Sequence, residues 1–285
     1  MALIPPPFLD CVVAIGFGDE AGPHTYVATG FLYGRHAQDN EYNVYLVTNR
    51  HVFEGNPAAW LRFNPEAGTA AREYTIRLLD EAGNPAWLTN DGIDLAVIGI
   101  NVNLLSEEGI RLFFFQSNHH VLSLADAKND GISEGDGVFA LGFPMGLVGG
   151  ERNFVIVRQG AIARISDAFQ GASKEILVDI SIFPGNSGGP VVTRPELTAI
   201  SGTKSISRSA LIGVVASYVP YQDVAISTQT RRPRIIFEEN SGLASIVPVD
   251  EIITLVDRAV ARAASQKVPP EIDAVETAPG EEGVP

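Results

Sequence analysis

The sequence predicts an all-β protein built as two similar-sized antiparallel barrels followed by one helix. Short β-branched and aromatic runs recur between turn signals in two series, a largely polar stretch separates the series, and apolar residues at helical spacing close the chain. With 28 glycines and 45% hydrophobic residues in 285 positions, the chain has turn formers and enough apolar material for a substantial core.

The first series comprises 11–16, 28–33, 44–47, 60–63, 74–79 and 95–100, and predicts a barrel over residues 8–115. Residues 116–137 carry Asp126, Asp130, Gly131, Glu134 and Gly135 and read as the interdomain linker. The second series comprises 138–141, 154–165, 176–182, 191–192, 211–218 and 234–237, and predicts a barrel over 138–247. No repeat suggests a solenoid or propeller. Over 248–266, Val249, Ile252, Ile253, Val256, Ala259, Val260 and Ala263 follow Pro248 at helical spacing, with Asp250 and Glu251 in the first turn; this predicts a helix packed on the second barrel. Residues 267–285 hold five carboxylates and no cation beyond Lys267, too little apolar material to fold, so a disordered acidic tail is expected.

Charge and cysteine content narrow the function. A net charge of −14 argues against nucleic acid or an anionic membrane as partner, because phosphate binding needs clustered Lys and Arg. The nearest cluster, Arg231, Arg232 and Arg234, is followed by Glu238 and Glu239 and reads as a solvated loop. The single cysteine, Cys11, allows no intrachain disulfide and reads as a buried thiol. The start lacks a basic segment and is interrupted by Pro5, Pro6 and Pro7, and no uncharged stretch reaches membrane-spanning length. No secretory signal is therefore expected, and a cytoplasmic location is.

The most informative stretch is GNSGGP, Gly185 to Pro190. Glycines on both sides of Ser187 free its hydroxyl and the neighbouring amides for a substrate, although a glycine-rich hairpin turn would read the same way. All five histidines (His24, His36, His51, His119, His120) precede Ser187, which rules out the α/β-hydrolase arrangement, where the histidine comes last. His51 ends the strand-like run YLVTNRH, which would carry its imidazole to the edge of the first barrel. Asp94 stands immediately before an apolar run, where a carboxylate needs a partner such as an imidazole N–H; its neighbour Asp91 precedes Gly92 and reads as turn chemistry.

VTNRHV, DLAVIGI and GNSGGPVV, in that order, resemble the chymotrypsin-fold serine peptidases, and within them the bacterial trypsin-like and HtrA-like branch. ATGFLYG, GDGVFALGFPMGL, VRQGAIARI and GLASIVPVDEIITLVDRA resemble further strands and the closing helix, so the likeness spans about residues 8 to 265. The resemblance implies two six-stranded antiparallel barrels of the chymotrypsin/trypsin fold with a C-terminal helix. It implies a serine endopeptidase acting through an acyl-enzyme, with Ser187 as nucleophile, His51 as base, Asp94 as its orienting acid, and an oxyanion hole of the Gly185, Asn186 and Ser187 backbone N–H groups. It places Ser181 near the base of the S1 pocket and Val215, Ala216 and Ser217 along the substrate backbone. A serine at the base favours small or apolar side chains, unless Asp179 reaches the pocket.

Two departures carry information. Asn186 stands where digestive enzymes have Asp, and there is no Ile-Val-Gly-Gly start, so activation by N-terminal cleavage is not expected; the HtrA-like branch also has Asn there. Fewer than 40 residues follow Glu251, so no PDZ domain is expected in this sequence. His119 and His120 lack an acid or thiol at metal spacing, and Gly142, Gly146, Gly149 and Gly150 match no phosphate-binding fingerprint and read as a loop shaping the cleft floor. No metal or other cofactor is expected. The expected partner is a protein or peptide substrate, and a regulatory protein or a homo-oligomer is compatible. Two other readings stand beside the peptidase: a latent protease-fold interaction module within a larger assembly, and an esterase using the same triad.

Overall fold

The computed structural model describes residues 3–266 apart from Glu20, Ala21, Pro23 and Ala67. The expected tail lies outside the described residues.

The first sheet contains β1 (Val12–Phe17), β2 (Thr25–His36), β3 (Tyr42–Thr48), β4 (Ala58–Phe63), β5 (Arg72–Arg77) and β6 (Ala96–Gly99) in the order β5-β4-β1-β2-β3-β6, and the short β7 (Phe115–Gln116) joins β2 in parallel. The second is a closed antiparallel barrel of β8 (Gly137–Gly142), β9 (Ile156–Arg164), β10 (Ile176–Asp179), β11 (Pro190–Thr193), β12 (Leu211–Ile226) and β13 (Pro233–Pro248), ordered β10-β13-β12-β11-β8-β9. The helices are α1 (Arg50–Phe53), α2 (Val102–Glu107), α3 (Leu124–Asp130) and α4 (Val249–Gln266). This is the chymotrypsin-like double-barrel arrangement, except that where two six-stranded antiparallel barrels were expected the first sheet has seven strands, one of them parallel, and stays an open half-barrel. Among the described residues, no helix is long and apolar enough to cross a membrane.

The apolar runs are continuous because each strand at the centre feeds two cores. Val13, Ile15, Leu32 and Leu46 fill the first barrel, whereas Val12, Ala14, Phe31 and Tyr33 on the same strands face a cluster between the barrels. Val138, Ala140, Val191, Val215 and Ile246 fill the second barrel, and their neighbours Phe139, Leu141, Val192, Val214 and Val247 reach the shared cluster. The two-residue period of a strand sends alternate side chains to opposite faces, and both faces here are apolar. Cys11 is buried in the shared cluster, which pushes its thiol well above the ordinary range.

Helix α4 lays Ile252, Leu255 and Val256 on that shared cluster and reaches the first barrel as well, where Asp257 accepts a 2.6 Å bond from Arg35. The stretch read as linker contains α3, capped by Ser123 accepting from Asp126 N–H and closed by Gly131 at φ +83°. Only Ala127 of this helix is buried, so it carries no apolar periodicity.

The larger difference concerns the arginine cluster, read as a loop. Strands β12 and β13 each run 16 residues and stay paired from Pro220↔Asn240 to Ile226↔Pro233, well beyond the barrel wall, forming a two-stranded arm. Arg231 and Arg232 lie in its connecting turn, and Arg234 lies on β13 itself. The run 234–237, expected as a strand of the second barrel, is a strand but lies on this arm, which buries neither face and so carries no alternating pattern to tell it from a barrel strand.

Candidate active site

The site is assembled where β2, β3 and the loop before β11 meet. Phe183-Pro184-Gly185-Asn186 forms a β-turn closed by Asn186 N–H donating to Phe183 O at 3.0 Å, with Gly185 at φ +97°. Proline second and a left-handed glycine third are what a type II turn demands. The turn fixes the peptide between Pro184 and Gly185, whose carbonyl accepts from Met145 N–H at 2.6 Å. Since a trans peptide holds N–H and C=O on opposite sides, Gly185 N–H faces away from Met145. Among the described residues, neither Gly185 N–H nor Ser187 N–H donates to a partner. Asn186 N–H, expected beside them in the oxyanion hole, is instead spent on the turn, and its fully buried side chain accepts from Phe183 N–H at 3.0 Å.

His51 does not end a strand. β3 stops at Thr48, Asn49 is extended at φ −80° and ψ 152°, and His51 lies in the first turn of α1. Asp94, in the loop before β6, holds it twice: Oδ1 accepts from His51 N–H at 3.0 Å, and Oδ2 lies 2.6 Å from Nδ1. Asn49 donates to Asp94 O at 2.7 Å and fixes that loop. Partial burial of Asp94 opposes its charge, but the two bonds from His51 together with the charges of His51 and Arg50 outweigh it and hold the carboxyl below the ordinary range. An ionised carboxylate can only accept, so Nδ1 is the donor of this bond, an arrangement in which deprotonation of the ring would take place at Nε2. Asp91 sits in the turn with Gly92 at φ +74°.

Thr29, a buried residue of β2, ties the halves together. Its N–H donates to Ser187 O at 2.9 Å, its hydroxyl donates to Gly185 O at 2.6 Å and accepts from Phe143 N–H at 3.0 Å, and its carbonyl accepts from Thr48 Oγ1 at 2.8 Å. Gly188, at φ +82°, is so close that an added Cβ would lie 2.1 Å from Thr29 O and 2.2 Å from Thr48 Oγ1. These contacts tie Ser187 to β2 and set its neighbour Gly188 against Thr48, three residues before His51. No hydrogen bond joins the half-buried Ser187 hydroxyl to His51 among the described residues. Thr29, Thr48 and Asn49 escaped the sequence reading; the one available signal was three polar residues in strongly apolar strand sequence.

Among the residues expected to meet substrate, Ser181 is exposed between the buried Ile180 and Ile182. Val215 is removed from that set: its N–H donates to Gly189 O and its carbonyl accepts from Gly188 N–H, both at 2.9 Å, so it belongs to the barrel wall. Ala216 is buried beside it and Ser217 is exposed, with a register shift between Val215 and Ser217. Asp179 ends β10 opposite Leu243 and is exposed. Met145, Leu147, Phe154, Val157 and Phe183 are exposed, and Leu147 and Phe154 make the apolar rim of a pocket lined also by Gly146, Val148, Gly149 and Ile156. Of the glycine cluster read as cleft floor, Gly146 and Gly149 line that pocket, whereas Gly142 ends β8.

The other histidines serve the scaffold. His24 lies 2.6 Å from Glu73 and stacks on Trp60, His36 contacts Asp39 O, and His120 accepts from Gln116 N–H at 3.1 Å with burial lowering its pKa. Among the described residues, no three His, Cys, Asp or Glu side chains gather as a metal site.

A double barrel with a glycine-flanked serine and a histidine–aspartate pair at the junction defines the class of trypsin-like peptidase domains. The trypsin-like peptidase domain family matches residues 28–197, more than half of the chain, taking in His51, Asp94 and Ser187; the chain belongs to that family. No curated protein matches the chain. Among solved structures it is similar to the MamO protease domain from Magnetospirillum magneticum in its apo form, at 17% identity over 87% of this chain and 97% of that one, with a TM-score of 0.45.

Proposed function

We propose that this chain is a serine endopeptidase. Ser187 Oγ attacks the scissile carbonyl, His51 Nε2 takes its proton and returns it to the leaving amine, and Asp94 holds the ring with Nδ1 protonated. Gly185 and Ser187 N–H groups receive the oxyanion, each donor being worth roughly 10²–10³ in rate. Water then resolves the acyl-enzyme by the same proton relay. An extended substrate runs beside Ala216 and Ser217 with its P1 side chain toward Ser181 and the apolar rim, which suits small or apolar residues. A cytoplasmic setting and an HtrA-like lineage accord with the single cysteine and with Asn186.

The observation that supports the reading is the bonded network Thr48–Thr29–Ser187, which ties the serine to the strand that leads into the doubly held His51, beside two amides unspent among the described residues. One observation favours the latent module instead: no bond links Ser187 to His51. Apo sites often tighten only on substrate binding, so this does not outweigh the network. The deciding experiment is fluorophosphonate labelling and peptide-library cleavage by the wild type and Ser187→Ala. Labelling and cleavage lost only in the variant support the peptidase, and ester turnover without peptide turnover would make it an esterase. Failure of the folded wild type to react with the probe would leave the interaction module as the reading.

A further inference from the structure

Among the described residues, the arm formed by β12 and β13 has no packing partner, yet it is strongly apolar. Ile226, Ile235, Ile236 and Phe237 are each more than half exposed, at 60, 55, 61 and 53%. They are divided between both faces. The directly opposed pairs Gln222↔Glu238 and Val224↔Ile236 share one face, and Asp223↔Phe237 and Ala225↔Ile235 share the other. A lone two-stranded ribbon is marginal in water, and an apolar edge in solution invites a further strand.

Its base is fixed to the barrel. Leu243 pairs with Asp179 of β10, Gly242 O accepts from Ile180 N–H at 2.8 Å, and Asn240 Nδ2 donates to Ile182 O at 2.5 Å. Among the described residues, the outer edge of β13 is therefore open from Pro233 to about Asn240. The sequence along that edge, PRIIFEEN, is basic at its start, apolar in its middle and acidic at its end. A strand of this kind is complementary to itself when reversed.

We infer that the open edge of β13 pairs antiparallel with the same edge of a second copy of this chain, about a two-fold axis at Ile236, giving a four-stranded sheet shared by two molecules. In that register Ile236 meets Ile236 of the second copy once, on the axis, while Ile235 meets its Phe237 and Arg234 meets its Glu238, these last two contacts each made twice by symmetry. Aromatic with β-branched and opposite-charge pairs are the favourable cross-strand combinations. Glu238 already accepts from Tyr218 and Gln222 and is held ionised in place, ready for Arg234. The outer edge of β12 does not offer this: from Tyr218 to Ile226 its one charge is Asp223, and Pro220 lacks an N–H. Pairing through β13 leaves the β12 edge free.

Sedimentation velocity of the full chain over a concentration series, with Arg234→Glu, Glu238→Arg and the double exchange, tests this. The wild type should be a concentration-dependent dimer, each single exchange should weaken it at least ~10-fold by opposing like charges, and the double exchange should restore it. A monomeric wild type, a dimer indifferent to the single exchanges, or a double exchange that fails to restore it would each overturn the inference. Near-ultraviolet circular dichroism checks that the barrels are intact. Should an exchange disturb them, Ile236→Lys replaces it, with a monomer expected and a persisting dimer counting against the pairing. The readout is independent of catalysis.

Discussion

The hydroxyl of Thr29, on β2 of the first sheet, donates a 2.6 Å hydrogen bond to the carbonyl of Gly185, the residue of the second barrel whose N–H is proposed to receive the oxyanion. The same oxygen accepts from Phe143 N–H, so one side chain satisfies two buried backbone groups. Thr29→Val keeps the shape and strands both, at about 1–3 kcal/mol for each group. The expected outcome is a loss in kcat of at least ~10-fold with KM little changed, because the oxyanion donor is misplaced while the substrate strand is intact. Thr29→Ser, which retains the hydroxyl, should restore most of the rate. Steady-state kinetics on one peptide substrate measures both, and equal kcat for Thr29→Val and the wild type would remove Thr29 from the positioning of Gly185.

Asp94→Asn tests the orienting acid. The amide can present an N–H toward Nδ1, which favours the wrong tautomer and moves the proton to Nε2. The fall in kcat should be on the order of 10⁴ with the melting temperature nearly unchanged, since the side chain is about one-third exposed. A mild loss would show that another group orients His51.

Gly188→Ala should destabilise the protein by at least about 2 kcal/mol, because its Cβ would meet Thr29 O and Thr48 Oγ1 and the residue has φ +82°. Gly150→Ala, with no atom within 4 Å of an added Cβ, should be neutral. Urea unfolding of the pair provides the comparison; equal midpoints would mean that the β2–β3 seat for Ser187 is loose.

Acid stability should report on Glu134, whose carboxylate accepts from the backbone N–H groups of Ile165 and Ser166 at 3.0 and 2.9 Å and from the Ser166 hydroxyl. Those bonds lower its pKa from 4.5 to about 2 in the folded protein. A group depressed on folding contributes its stability above the unfolded value, so the contribution is complete above about pH 4.5 and fades as pH falls toward 2. The stability gap between the wild type and Glu134→Gln should therefore narrow across that window. Being nearly fully exposed, Glu134 should give a small gap. One that stays constant with pH would rule out the ionised carboxylate as its source.

Most of the fold could be read without coordinates because the interior selects it. The strands Val12–Phe17 and Gly137–Gly142 and the middle of Thr25–His36 bury successive residues since each strand faces both a barrel core and the cluster between barrels, and such runs survive any uncertainty about loops. Chain order did comparable work at the site: with all five histidines ahead of Ser187, few arrangements of base and nucleophile were left. Two other features depended on contacts distant in sequence. Thr29 lies 156 residues from Gly185 and Asn49 lies 45 from Asp94, and neither residue type announces such a partner. The run 234–237 reads as a strand, but its place on an arm beyond the barrel was hidden for the opposite reason, since a ribbon that buries neither face is under no pressure to alternate. By itself the sequence determined the two barrels, the family and the glycine-flanked serine. Tertiary structure decided which amides are left unspent, that His51 stands on a helical turn, and that an edge of β13 remains open, because each of these depends on where hydrogen bonds close between segments that meet only in the folded chain.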